Sequence, residues 1–379
     1  MSFKVFTEGR HLVLAACVWL LPAPNLTTAG LDSTASSQEV VLVEPASVTD
    51  QNLAHWKKEG FKGVAVVLDE SHEKAAYSKA AQVTQEAKLD LFYWIEVGRN
   101  PQMAEAHPEW MASLGMHDDW QKRFPKAALP KKGEVAKAFP WVPITYRETF
   151  EAHLARINRL LALVPKDYQG LLLNDLQGGP ASCGCGNLQC RWATDYQVPA
   201  TATALAGADV AARFVAAVRQ RIGAKAIIPV WTTECEDVDL PADKQADGKS
   251  TGYCGTVPCH HGLCPKEFAK QWSALGESHH GPIALLALHR EFDRARPEYG
   301  GGVGWVKAAV EYLGKIPAQE GNTPLAHDRL WLVVQGYGSN AAEEKAARQA
   351  AVKAGAGGVV VARTRIDQSY EPRLVPVQK

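Results

Sequence analysis

Acidic and amide side chains stand at the ends of apolar runs in this sequence. YWIEVGR closes one run with Glu96, and Arg99 follows three residues later. GLLLND closes another with Asn174 and Asp175, IIPVW leads through two threonines to Glu234, and IALLAL leads to His289 and Glu291. Further runs end at Glu44, at Asp69 with Glu70, at Gln335 and at Arg363. Carboxylates that face each other across a substrate suit glycosidic cleavage: one attacks or steadies the sugar cation and the other donates a proton to the leaving oxygen. Asp175 is the expected nucleophile or stabilising carboxylate and Glu234 the general acid/base. Glu96, Arg99, Asn174, Trp231, His289, Glu291 and Gln335 are expected around the substrate. A separation of about 5 to 5.5 Å would imply retention of configuration and roughly 6.5 to 9.5 Å inversion. The plain alternative is that strand ends are exposed and therefore polar, so each group has a reading as a helix cap or as a partner of Arg99, Arg290 or Arg363.

Such residues meet only if the elements between them converge. Eight short apolar runs recur, beginning at Val40, Val64, Leu91, Leu171, Ile227, Ile283, Leu330 and Val359, and continuous runs of this kind suit strands buried on both faces. Between them lie helical faces: Phe150, Leu154, Ile157, Leu161 and Val164; Val210, Phe214, Val218 and Ile222; Val303, Val306, Val310 and Leu313. Parallel strands need helical crossovers, and eight such units close without an exposed edge. The expected fold is α/β, a (β/α)8 TIM barrel in one domain over residues 39–379, with long loops after strands three, four and five. In that fold the active site lies at the C-terminal rim. Pro229 cannot donate to a ladder, so a bulge is expected there.

The connection after strand three carries HPEW from His107 and HDDW from His117, with Trp110, Trp120 and Trp141 along it. Indole faces in a rim loop offer apolar platforms for sugar rings, and His107 offers hydrogen bonds to hydroxyls. Equally, tryptophans pin a long loop to its barrel. Cysteines cluster in the next two loops: Cys183, Cys185 and Cys190, then Cys235, Cys254, Cys259 and Cys264. Disulfides stapling these loops are the expectation for an exported chain. The alternative is a structural zinc on these sulfurs with His260 or His261, although the spacing is not the usual C-x2-C pair. No other cofactor is expected.

Acidic and basic residues balance at 41 each in 379 residues, which removes any general electrostatic reason to expect nucleic acid as a partner. An oligosaccharide or polysaccharide is the partner that the rim chemistry implies. Residues 1–29 have the layout of a secretory signal peptide, with an apolar run too short for a comfortable membrane span. A periplasmic or extracellular location follows. Leu14 to Cys17 also resembles a lipoprotein box, which would strand the apolar residues behind Cys17.

YWIEVGRNP around Glu96, HPEWM from His107 and GLLLND before a cysteine cluster together resemble the glycoside-hydrolase-like barrel families of bacteria. The resemblance covers most of the barrel and implies its fold, with an aspartate at the end of strand four. The strand-four aspartate and strand-five glutamate are similar to the pattern of alpha-amylase-like enzymes, which implies Asp175 as nucleophile and Glu234 as acid. The seventh strand ends in Gln335, unlike enzymes with glutamates on strands four and seven. An alpha-galactosidase-like scheme would need an aspartate on strand six, where Glu291 is the reserve acid. Two other classes stay open: a carbohydrate-binding or cell-envelope barrel without catalysis, and a metal-dependent hydrolase built on His289 and Asp69.

Overall fold

The computed structural model describes residues 37–113, 128, 130–176, 202–205, 207–231, 265–288, seven positions between 303 and 313, 324–366 and 370–377. Ten strands run in chain order: β1 (Gln38–Val43), β2 (Gly63–Val67), β3 (Asp90–Glu96), β4 (Glu134–Phe139), β5 (Gly170–Asn174), β6 (Ala226–Trp231), β7 (Ile283–Ala287), β8 (Leu330–Gln335), β9 (Gly358–Ala362) and β10 (Glu371–Pro376). All but β4 and β10 form a closed barrel in the order β1-β2-β3-β5-β6-β7-β8-β9, and every neighbouring pair is parallel. Each of the eight expected apolar runs is one of these strands. The helices are α1 (Asp50–Lys58), α2 (Lys74–Glu86), α3 (Pro101–Ala106), α4 (Arg147–Leu161), α5 (Val210–Ile222), α6 (Pro265–Ser278) and α7 (Ala341–Lys353), with a further helical stretch within 303–313. The fold is a (β/α)8 barrel.

Alternation of side chains along each strand decides which residues enter the lumen. The Tyr93 ring meets Tyr77 of α2 edge-on, so Tyr93 faces the helix layer. Phe92 and Trp331 lie in strands opposite one another in the barrel order, and their rings meet at 6.3 Å across the lumen. Trp94 and Glu96 therefore face inward above Phe92, and Val333 and Gln335 face inward above Trp331. The register carries the same parity to Asn174, which stands opposite Glu96. At the lower end Gly358 lies against the indole of Trp331, and a Cβ there would fall inside the ring. Gly358→Ala should lower stability by about 2–3 kcal/mol, read as a fall in thermal midpoint, because the lumen has no room for an added methyl.

Two expectations are corrected. β6 pairs with β5 in unbroken register through Leu173 and Pro229, so no bulge accommodates the proline. Instead the seam of β6 with β7 is reduced to Val230 and Trp231, both beyond Pro229, where the missing N–H costs that ladder nothing. Val306, Val310 and Leu313 are buried, but Val303 is exposed and lies outside the packed face.

The expected long loop after the third barrel strand, Gly98 to Thr145, contains structure of its own. It holds α3, a 3-10 turn at Pro108–Trp110 and β4, and β4 pairs antiparallel with the C-terminal β10 from Phe139↔Glu371 to Glu134↔Pro376. Two apolar clusters fill this satellite, one of Ala112, Ala136, Ala138 and Trp141, the other of Ala104, Met111, Val135, Val142 and Val375. Strand pairing between a rim loop and the chain terminus lies more than two hundred residues apart in sequence. Periodicity within a window cannot reveal it.

Candidate active site at the barrel mouth

The strand ends define the site. Glu96, the last residue of β3, is half-buried in the mouth, and both its carboxylate oxygens are held. Trp94 Nε1 donates to Oε1 at 2.7 Å and Asn174 Nδ2 donates to Oε2 at 2.8 Å. A carboxylate only accepts, so the Asn174 amide must turn its NH2 towards it. Its Oδ1, buried, has no hydrogen-bond partner among the described residues. Asp175 follows in the left-handed region, φ 64°, a conformation that aspartate tolerates better than most residues, and this breaks the alternation of β5. Asp175 is wholly buried. Gly98 is packed against it: a Cβ at Gly98 would lie 2.6 Å from the Asp175 carbonyl oxygen. Val97 N–H donates to Asn174 C=O at 3.0 Å, so the ends of β3 and β5 are bonded together at the mouth.

The remaining rim groups divide into lumen and periphery. Gln335 faces the lumen from the wall opposite Glu96, buried, with Nε2 donating to Tyr337 C=O at 3.3 Å. Glu44 accepts from Thr364 Oγ1 at 2.7 Å. Asp69 is closed into a turn by Ser71 and His72; burial raises its carboxyl, but hydrogen bonds from Ser71 and His72 outweigh that and hold it below the usual range. Arg363 turns away to Glu344 and Glu59 in the helix layer, which is the plain ion-pair reading for that residue. Trp231 also faces outward, its ring edge-on to Trp272 of α6 at 6.2 Å.

Arg99 lies beside the mouth, bridged to Trp141 in antiparallel fashion. The HPEW motif is built into the satellite. His107 stacks on Trp110 at 3.8 Å and 14°, Trp110 packs against the cluster containing Met111 and Val135, and His107 Nδ1 lies 3.4 Å from Glu109 Oε1. Lys137 of β4 is buried on this side, and burial pushes its ammonium down to about 8 against the opposing pull of Glu109. Trp141 is wholly buried in the other cluster. Of the sequence-derived candidates, the structure brings Glu96, Asn174 and Asp175 together and sets Gln335 across the lumen from them. Trp231, His107 and Trp110 belong to other surroundings.

Glu234, His289, Glu291, His117, Trp120 and the seven clustered cysteines lie outside the described residues, as does the amino-terminal segment through 29. Among the described residues no group of three or more His, Cys, Asp or Glu side chains could hold a metal, and no helix is long and apolar enough to cross a membrane. Sequence reasoning missed Arg156 and His153, two buried polar residues of α4. Arg156 forks onto Glu70, Nε to Oε1 at 2.8 Å and Nη2 to Oε2 at 2.9 Å, and Nη1 donates to the Glu96 C=O at 2.6 Å. His153 Nε2 lies 2.8 Å from Val142 C=O. Both positions adjoin the apolar stripe of the helix, so a polar residue at a core-facing step was the available signal.

No protein-family model matches the chain, and no curated protein matches it. Among solved structures, it is similar to an HpcH/HpaI aldolase from Desulfitobacterium hafniense at 9% identity and TM-score 0.36, with 86% of each chain covered. It is similar to an alpha-amylase from Lactobacillus plantarum at 11% identity and TM-score 0.40, covering 86% of this chain and 70% of that one. A GH36 alpha-galactosidase from Geobacillus stearothermophilus matches at 10% identity and TM-score 0.39, and the chain, 87% covered, spans only 39% of that protein's length. Glycoside hydrolases thus stand beside an aldolase among the neighbours, and the fold rests on the closed barrel itself.

Proposed function

We propose that the protein is an exported, glycoside-hydrolase-like barrel that binds and cleaves an oligosaccharide or polysaccharide at its C-terminal mouth. The observation that carries this reading is the Glu96 carboxylate, turned into the lumen, partly open, and oriented through both oxygens by Trp94 and Asn174. A carboxylate fixed in this way is pre-organised to accept from sugar hydroxyls or to face the positive charge that develops at the anomeric carbon. In this reading Asp175, from the neighbouring strand end, is the nucleophile or stabilising carboxylate. Glu234, following the next strand, is the general acid/base. Arg99, Gln335, His289 and Glu291 line the subsite, and the amino-terminal segment 1–29 directs export.

Release of reducing ends from a panel of alpha- and beta-linked glucans, galactans and N-acetylglucosamine polymers tests the proposal. Asp175→Asn and Glu234→Gln should each lower turnover by about 100- to 10,000-fold, and Glu96→Gln should weaken both turnover and binding. Unchanged turnover in all three variants would remove the assignment. The complete burial of Asp175 favours one second reading, a barrel that binds carbohydrate without cleaving it. Calorimetric binding of a panel sugar with no turnover in the unaltered protein would establish that instead.

A further inference from the structure

Arg156 has a guanidinium almost wholly removed from water, with only 6% of the residue exposed. Its ion-pair partner Glu70 is exposed, and a pair that strips one charge of water while the other stays solvated is at best a weak source of stability, so its use here calls for a geometric reason. The β2–β3 ladder supplies one. Leu68 N–H donates to Trp94 C=O at 2.8 Å, and the next acceptor on that side of β3 is the Glu96 carbonyl. The donor due in the ladder would be the N–H of residue 70, but the chain has already turned away: Asp69 N–H goes to the Tyr77 hydroxyl. Arg156 Nη1 takes the place of that backbone donor on Glu96 C=O, while Nε and Nη2 grip the carboxylate of Glu70, the residue that left the ladder. The guanidinium thus extends the sheet by one rung through a side chain. It fixes the last peptide of β3 from behind, as Trp94 and Asn174 fix its carboxylate from within.

We infer that Arg156, anchored by Glu70, is a positioning residue that sets the Glu96 carboxylate in the barrel mouth. This rests on the reading of Glu96 as a substrate-facing group. α4 contributes neighbouring grips of the same kind, with Thr149 Oγ1 donating to Pro143 C=O at 2.5 Å and His153 held on Val142 C=O. Those contacts hold the segment that leads from the satellite back to α4. Arg156 alone of the three bonds to the residue carrying the clamped acid.

The test needs no ligand. In the full chain labelled uniformly with 15N, the Trp94 indole signal is assigned through Trp94→Phe, and exchange of its N–H with solvent is compared with that of β8 backbone amides. Loosening of Glu96 should free the Trp94 N–H. In Arg156→Gln and in Glu70→Gln that exchange, relative to β8, should rise about tenfold or more. The double variant should add little to either, because the two residues act as one unit. Arg156→Lys, which can reach one partner but not fork onto both, should fall between. Leu160→Ala, a cavity on the same helix, should lower the thermal midpoint and leave the ratio unchanged. If Arg156→Gln and Glu70→Gln lower the midpoint but keep the wild-type ratio, Arg156 is a brace and the inference is overturned. Should Arg156→Gln fail to fold, Arg156→Lys and Glu70→Gln decide the same question. Full turnover by Glu96→Gln alongside a raised ratio in Arg156→Gln would sink the functional reading and leave the positioning role intact.

Discussion

Lowering the pH from 6.5 towards 4 should strip about 6 kcal/mol from the stability of the folded chain, about 3 kcal/mol through each of two buried histidines. Burial pushes His153 down to about 4, against the hydrogen bond to Val142 C=O, and the neighbouring Arg156 charge pushes the same way as burial. Burial also pushes His279 down to about 4, with Arg219 and Arg329 adding to it and the Pro282 carbonyl opposing. In both cases the folded value lies below that of the unfolded chain, so the unfolded chain takes up protons first as the solution is acidified. The contribution is complete above pH 6.5 and is lost as the pH falls through the folded values. Denaturant titrations at pH 7.5, 6, 5 and 4.5 would measure the slope. His153→Gln and His279→Gln should lower stability at pH 7.5 yet flatten its fall with acid. A double variant with the unaltered slope would contradict the assignment.

Ending the chain after Ile366 should open the satellite while the barrel stays folded. The cut removes β10, and with it Val375 and Leu374 from the two apolar clusters and the cation–π contact of Arg373 with Phe139. Loss of two largely buried aliphatic side chains costs about 3 kcal/mol or more, which corresponds to roughly a hundredfold or greater rise in amide exchange across β4. The effect should reach the mouth. Val142 N–H donates to Gly98 C=O at 2.7 Å, and Gly98 is the residue packed behind Asp175. Exchange mapped over residues 98–113 and 130–146, against the β5 and β8 amides as reference, would show it. Unaltered protection of β4 in the shortened chain would mean that β10 does not hold the loop.

Much of the architecture is legible in the residues. VVLV, LFYWI and LWLVV are short, rich in β-branched or aromatic residues and apolar on both faces, a composition that suits strands of a doubly covered parallel sheet. Val210, Phe214, Val218 and Ile222 mark a helix face that the structure buries whole. The convergence of Glu96 and Asn174 also follows once the strands are counted, since the register sets them opposite each other. The hidden features have a different character. HPEW reads equally as a sugar platform or as a pin for its loop, and only the structure shows its rings stacked on each other at the edge of the satellite core. Trp231 reads as a rim residue, whereas its parity turns it towards α6. Arg156 reads as one more helix charge.

By itself, then, the sequence determined that eight parallel strands close and that acids stand at their carboxyl ends, because periodicity and strand length are local properties written along the chain. Tertiary structure alone decided which of those acids faces the lumen, that a left-handed aspartate lies buried behind Gly98, and that β10 returns to pair with β4. Each of these depends on register and on partners far apart in the chain. A shift of one residue in pairing turns a side chain from lumen to helix layer, and nothing within a short window specifies that choice.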